Sequence, residues 1–211
     1  MRPRLLDLFS GAGGGAAGYY EAGFDVVGVD IVRQKHYPYI HVVHEALDYL
    51  ERHGAEFDAI HASPPCQAFS SYRRRGQGVG DKAVNLIPGT REILKQLGKP
   101  YVIENVRGAP LQSAVQLCGS SFGLDIRRHR LFETNWTLPE LDCDHSWQTP
   151  RFPPAANRTN LRSTIEVGVR RIPLAVQREA MQIPWMSLHE LSQAIPPAYT
   201  NYIGKFLIDE L

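Results

Sequence analysis

A chain of 211 residues, 43% hydrophobic and 21% charged, is long enough to bury a sizeable core as one domain with at most a small appendage. A net charge of +1 excludes a global field that would draw it onto nucleic acid or membrane, so any polyanion contact must come from local clusters. No apolar stretch reaches membrane-spanning length, the N-terminus runs straight into a strand-like segment rather than a signal peptide, and the three cysteines lack framework spacing. A soluble cytoplasmic protein is therefore expected, monomeric, with no obligate protein partner and no membrane contact.

Arg4 to Phe9 reads as a strand running into a glycine cluster, and Gly14 to Ala22 as a helix closed by Gly23. Val26 to Val29 is a second strand with Asp30 at its end. A third strand is expected around His41 to Val43, then a helix over Ala46 to His53 stopped by Gly54. Phe57 to Ala62 is a strand, Leu86 to Leu97 a helix ended by Gly98, Tyr101 to Ile103 a strand, and His129 to Glu133 a late strand. Such alternation predicts an α/β fold, a mostly parallel sheet with helices on both faces. From Leu138 to Pro173 the chain is rich in Pro, Asn, Thr and Arg and reads as a loop-rich insert. Val176 to Met181 and Ser187 to Gln193 are helical, and Pro196-Pro197 opens a last helix through Leu207. Three units follow: a core over 1–135, an insert over 136–172 and a helical closing segment over 173–211, packing back on the core.

Cys66 follows a buried strand and two prolines and precedes Arg73, Arg74 and Arg75. A thiol at the tip of a rigid loop beside fixed positive charge suits a reactive thiolate, because cations lower its pKa. A buried structural cysteine is an equal reading from this segment alone. Asp7 to Ala16 places glycines between a strand and a helix N-terminus, with acidic Asp30 ending the next strand. That pattern suits a nucleoside-containing cofactor without saying which. Phe9, Gly11, Asp30, Cys66 and Glu104 would share the carboxyl edge of the sheet, where open α/β sheets bind ligands. Arg128 and Arg130, two apart on a strand, point to one face and could grip one anion or carboxylate. Cys143-Asp-His145 could be half of a metal site, but no second pair lies at ligand spacing, so no metal is expected.

Together these motifs resemble the cytosine-C5 DNA methyltransferases. The segment Asp7 to Gly14 is similar to their cofactor loop, Pro64-Pro-Cys-Gln67 to their nucleophile loop, and Glu104-Asn-Val106 to their glutamate motif. Arg128-x-Arg130 resembles their Q-x-R-x-R arginines, and Arg178-Glu-Ala180, Ala194-Ile-Pro-Pro197 and Ile203-Gly204 resemble the closing motifs. The compact closing segment is most similar to small phage or prophage-type members. The resemblance implies a Rossmann-like, S-adenosylmethionine-dependent fold acting on double-stranded DNA. It implies Cys66 as nucleophile on C6 of a flipped-out cytosine, Glu104 as the acid at N3, and Arg128 and Arg130 on the base carbonyl and the catalytic loop. Phe9, Gly11 and Gly13 would line the cofactor, Asp30 would hold its ribose, Glu45 would stand near the adenine, and Pro64 would offer its backbone.

Ile126 stands where the family has the glutamine of Q-x-R-x-R, and Ser192-Gln193 where it has Gly-Asn. So short an insert should read only a short or degenerate site, through phosphate contacts from Arg73, Arg74, Arg75, Arg151, Arg158 and Arg162. The rival readings are an RNA cytosine methyltransferase of the same fold, a nicotinamide-dependent oxidoreductase and a catalytically silent relative. The oxidoreductase leaves Cys66, Glu104 and Arg128 without a role, and the silent relative is disfavoured by an intact Cys66 and Glu104.

Overall fold

Short apolar runs separated by glycine-terminated helices build the first half of the chain, in a computed structural model that describes residues 1–67, 69, 84–149 and 162–211. These are β1 (Arg4–Leu8), α1 (Gly14–Ala22), β2 (Asp25–Asp30), β3 (Ile40–Val43), α2 (Ala46–His53), β4 (Ala59–Ala62), α3 (Ile87–Leu97) and β5 (Tyr101–Asn105). The second half holds β6 (Val115–Leu117), β7 (Arg130–Thr134), β8 (Gln148–Thr149), β9 (Arg162–Ser163), α4 (Leu174–Met181), α5 (Leu188–Gln193) and α6 (Pro197–Leu207). Seven strands form one sheet in the order β3-β2-β1-β4-β5-β7-β6, and β8 and β9 pair separately. β1 to β5 are parallel, whereas β7 runs antiparallel to β5 and β6 antiparallel to β7. The expected mostly parallel α/β sheet is present.

Each face of the sheet has its own core. Leu6, Leu8, Val27, Val29, Ile60 and Ile103 lie against α2 and α3 through Leu50 and Leu94. On the other face Leu5, Val26, Ala59 and Val102 lie under α1, α6 and the closing segment, through Tyr19, Tyr199 and Met181. Fully burying one such side chain is worth roughly 1.5–3 kcal/mol, which is why both faces must be covered.

Helices α1 and α6 pack backbone to backbone. A Cβ added at Gly18 would lie 2.0 Å from the Pro197 carbonyl oxygen, so only glycine permits this approach. Thr200 Oγ1 donates to the Gly15 carbonyl at 2.7 Å, fixing the register of the two helices. The closing segment thereby lies directly over the helix that follows the glycine loop.

The structure departs from expectation in three places. β6 is an unexpected edge strand, too short to show a period in sequence. The insert is not wholly loop, since β8 and β9 pair within it. Helix α4 begins at Leu174 rather than Val176, starting straight after Pro173, which cannot donate a backbone hydrogen bond.

A buried ion pair ties α3 to β7. Arg91 Nε and Nη2 donate to the two oxygens of Glu133 at 2.6 and 2.7 Å, Nη2 also reaches the Pro110 carbonyl, and Gln112 N donates to Glu133. Removing one partner strands the other charge in the interior. Arg91→Met is therefore expected to lower unfolding free energy by about 3–5 kcal/mol, measured by urea denaturation. A loss below about 1 kcal/mol, the range of an exposed pair, would refute this.

Candidate active site

The carboxyl edge of the parallel strands gathers the residues singled out in sequence. Pro64-Pro-Cys66 leaves the end of β4, and Glu104 and Asn105 close β5. Asn105, 1% exposed, donates from Nδ2 to the Pro64 carbonyl at 2.8 Å. This bond fixes the cysteine loop to the strand that carries Glu104. It also occupies the Pro64 backbone oxygen, which is thus first a strut of the loop. Cys66 itself is half-buried.

Because β7 is antiparallel, its first residue lies at the same edge as the last residues of β5. Arg130 Nε stands 3.1 Å from Glu104 Oε1. Burial raises the Glu104 carboxyl above its ordinary value, while Arg130, a hydrogen bond from Ser63 and then Arg128 pull it back only in part. Burial thus shifts this carboxyl toward its protonated form relative to an ordinary glutamate. The Cys66 thiol is also pushed up, first by burial and then by Glu104, with Arg130 and Arg128 acting in the opposite direction. The expectation of a thiol made acidic by neighbouring cations is thereby corrected. Among the described residues the cations beside the thiol are those of β7 and its approach, and burial outweighs them, while Arg73, Arg74 and Arg75 lie outside the described residues.

Arg128 is committed elsewhere than expected. Its Nε donates to the Ala194 carbonyl at 2.8 Å and Nη2 to the Ser192 carbonyl at 2.7 Å, while Tyr199 Oη donates to the Arg128 carbonyl. Carbonyls left without partners at the end of α5 explain the attraction. Arg128 therefore clamps the closing segment beneath the cysteine edge, and Arg130 alone of the pair faces the carboxyl.

Sequence reading missed a polar relay on the same sheet face. Tyr19 Oη and His61 Nδ1 are 2.9 Å apart, His61 Nε2 and Ser63 Oγ are 2.9 Å apart, and Ser63 reaches Glu104. His61 is fully buried, and burial pulls it down to about 3, so its ring is neutral. Its alternation with Ala59 on β4 was the available signal, since a histidine facing inward needs partners for both nitrogens.

At the glycine loop, Phe9 adopts φ 56° and Gly11 φ 49°, both left-handed. Such a backbone costs a non-glycine residue about 1–3 kcal/mol and tends to persist where a site requires it. A Cβ on Gly11 would meet nothing within 4 Å, leaving open space over the loop, and the buried Ser10 Oγ has no hydrogen-bond partner. Asp30 accepts from Gly11 N at 3.0 Å and Val32 N at 3.1 Å, binding the end of β2 to the loop with lone pairs to spare. Open space, an orphaned hydroxyl and an acidic rim fit a nucleoside ligand.

Two residues expected at the cofactor have structural roles of their own. Gly13 does not face open space, because a Cβ there would lie 2.9 Å from Tyr37 and from Pro38. Glu45 caps α2, its Oε2 accepting from Asp48 N at 2.7 Å, which accounts for a carboxylate there without a ligand.

Of the arginines expected on nucleic acid, Arg73, Arg74, Arg75, Arg151 and Arg158 lie outside the described residues. Arg162 is held on Asp125 by Nε at 2.7 Å and Nη2 at 2.7 Å, and its guanidinium lies over Trp147. Its charge is already balanced, so it is a weak candidate for a phosphate contact. The expectation that Cys143 and His145 lack a second pair is also overturned, since Cys118, just after β6, and His129, just before β7, lie beside them. No helix of the described residues is long and apolar enough to cross a membrane.

Sheet order and edge geometry together are those of a Rossmann-like methyltransferase domain. The solved S. pombe Dnmt2 methyltransferase shares the fold with a TM-score of 0.62 over 99% of each chain, at 14% identity. The family model for C-5 cytosine-specific DNA methylases matches residues 3–113, and the chain belongs to that family. Two relatives from Herpetosiphon aurantiacus are similar. Type II methyltransferase M.HgiDI is 32% identical over 57% of this chain and 42% of its own length. Type II methyltransferase M.HgiGI is 34% identical over 54% of this chain and 98% of its own length. The chain thus spans under half the length of the first relative.

Beside the glycine loop, Asp7 is 3% exposed and accepts from Tyr37 Oη at 3.1 Å. Burial lifts its carboxyl to about 7, the Tyr37 bond opposing and Asp30 adding to the rise. Between about 4 and 7 the folded chain holds a proton that the unfolded chain has released, so Asp7 costs stability progressively as pH rises. Asp7→Asn removes that cost. The melting temperature of the variant minus that of the wild type is expected to climb across this interval and then level, and a pH-independent difference would refute the assignment.

Proposed function

We propose that the chain transfers a methyl group to C5 of a cytosine in double-stranded DNA, with S-adenosylmethionine as donor. The observation that carries this reading is the buried Glu104 carboxyl, paired with Arg130 at 3.1 Å and facing the loop that presents Cys66. A cytosine ring needs an acid at N3 and a nucleophile at C6 together, and this edge offers both.

When bound, the cofactor supplies an electrophilic methyl group. Phe9, Ser10, Gly11 and Asp30 would hold it, with Asp30 suited to ribose hydroxyls and the strained Phe9–Gly11 turn keeping the approach open. The target base must leave the stack to reach this edge. Cys66, as thiolate, forms a bond to C6, and Glu104 gives its proton to N3, so the charge arriving in the ring is neutralised. After C5 has been methylated, its proton passes to water, the bond to Cys66 breaks and the N3 proton returns to Glu104, restoring a neutral aromatic base, the thiolate and the carboxylic acid. Arg130 holds the Glu104 carboxyl toward the base. Asn105 keeps the loop in place, and the Tyr19–His61–Ser63 relay orients Glu104 from behind. A short recognition sequence is in keeping with the 136–172 insert.

The reading is tested with labelled S-adenosylmethionine, duplex DNA or transfer RNA, and nucleoside analysis, where 5-methylcytosine is expected from DNA. Duplex carrying 5-fluorocytosine should trap the wild type covalently, because fluorine cannot leave as the C5 proton does, and Cys66→Ser should form no adduct. Glu104→Gln should slow transfer by roughly 10²–10⁴-fold with a smaller loss at low pH, where solvent protonates N3 more readily. An adduct with Cys66→Ser, or product from RNA alone, would overturn the proposal.

A further inference from the structure

Between β6 and β8 lies a cluster that the proposed methyl transfer does not use. Cys118 directly follows β6, His129 directly precedes β7, and Cys143 and His145 come from the segment leading to β8. One ligand atom from each lies within 4.8 Å of all the others. His145 Nε2 is 3.2 Å from Cys118 Sγ and 3.2 Å from Cys143 Sγ, and His129 Nε2 is 3.2 Å from Cys143 Sγ. We propose that Cys118, His129, Cys143 and His145 form a closed structural zinc site that joins the arginine strand to the insert following it.

The distances fit the metal. Zinc–sulfur bonds of about 2.3 Å and zinc–nitrogen bonds of about 2.0–2.1 Å in a tetrahedron require sulfur–nitrogen edges of about 3.6 Å. The three sulfur–nitrogen separations of 3.2 Å lie within a few tenths of an ångström of that edge, and every other pair of ligand atoms lies within 4.8 Å. Two thiolates and two imidazoles in this arrangement select zinc over calcium or magnesium, which take oxygen ligands. Four protein ligands leave no open position, so the site is structural rather than catalytic. Ser120 Oγ donates to Cys118 Sγ at 3.2 Å and sits 3.9 Å from Cys143 Sγ, a donor suited to a thiolate, while the Cys118 thiol donates to the Arg127 carbonyl at 2.8 Å, a contact that metal ligation would replace. Two neutral thiol–imidazole pairs would satisfy the hydrogen bonding of a pair of contacts. They give no reason for four ligand atoms from three separate segments to converge on one point.

The chain needs a fastener here. Between β7 and β8 it runs from Asn135 to Trp147 without a helix or a paired strand, so little backbone hydrogen bonding holds it. A metal supplies folding free energy where a small apolar core cannot. His129 lies between Arg128 and Arg130, and side chains alternate at a strand entry. Ligation of His129 on one side would fix the presentation of Arg130 to Glu104 on the other.

Protein purified without chelator is expected to carry one zinc ion per chain by elemental mass spectrometry. After removal of zinc, titration with cobalt(II) alone should give the intense visible bands of tetrahedral coordination and thiolate charge-transfer absorption, reversed by added zinc. Cys143→Ser, at the exposed corner, should weaken cobalt binding at least tenfold, whereas His145→Cys should retain a tetrahedral spectrum and Cys66→Ser should leave it unchanged. If Cys143→Ser fails to fold, the wild-type titration still decides. Folded wild-type protein that holds no zinc and gives no cobalt spectrum would overturn the site, as would a Cys118–Cys143 disulfide in the purified chain. These readouts do not depend on methyl transfer, so failure of the zinc site and failure of the proposed function are separable.

Discussion

A buried carboxyl needs a counter-charge, and the direction of β7 supplies it. Parallel strands end where ligands bind, and a strand running the opposite way begins there. Arg130, the first residue of β7, is thereby placed 3.1 Å from Glu104, the fourth residue of β5. Had β7 been parallel, its first residue would have lain at the opposite edge. The reversed strand is therefore a condition of the site, and β6 protects its outer side. The buried Arg91–Glu133 pair then anchors the far part of β7 to α3, so the strand is held by charge at both ends.

Everything else at the edge serves to keep Glu104 and the Cys66 loop in one frame. Asn105 bonds the loop from the same strand, while the relay through Ser63, His61 and Tyr19 runs back to α1. Helix α1 is in turn locked to α6 by the glycine contacts at Gly18 and Gly204. The closing segment reaches the site by a second route, since Arg128 holds the carbonyls of Ser192 and Ala194. Trp185 also donates to the Ala12 carbonyl of the glycine loop at 2.9 Å. The ends of the described chain are thus tied to each other across the two ligand-facing loops.

The parallel half of the sheet was legible because each strand is a short apolar run punctuated by glycine or proline, and each helix ends on a glycine. Asp30 and Glu104 were legible for the same reason, as the acidic residues closing such runs, and Cys66 as the residue after the two prolines that follow one. What escaped is non-local. Tyr19 and His61 are 42 residues apart, and Cys118 and His145 are 27 apart. No spacing rule relates them until the sheet has brought their strands together. Gly13 and Glu45 show that one position can have two accounts. Residue type and position matched a cofactor role, yet Tyr37 packing and helix capping account for each.

In the proposed reaction, the two raised pKa values are parts of one arrangement. With Glu104 protonated, the repulsion that it exerts on the Cys66 thiolate is gone, and Arg130 and Arg128 remain to favour the anion. Attack on C6 then removes the negative charge from sulfur as the proton passes from Glu104 to N3. The site holds one negative charge before this step, on Cys66, and one after it, on Glu104. Arg130 lowers the pKa of both groups, so the same guanidinium stabilises the charge at either end of its transfer. A second free carboxylate in the pocket would break this balance by opposing the thiolate throughout. That is the physical reason for Glu104 to sit buried against a neutral serine and histidine, with its single ion pair made to an arginine delivered from the reversed strand.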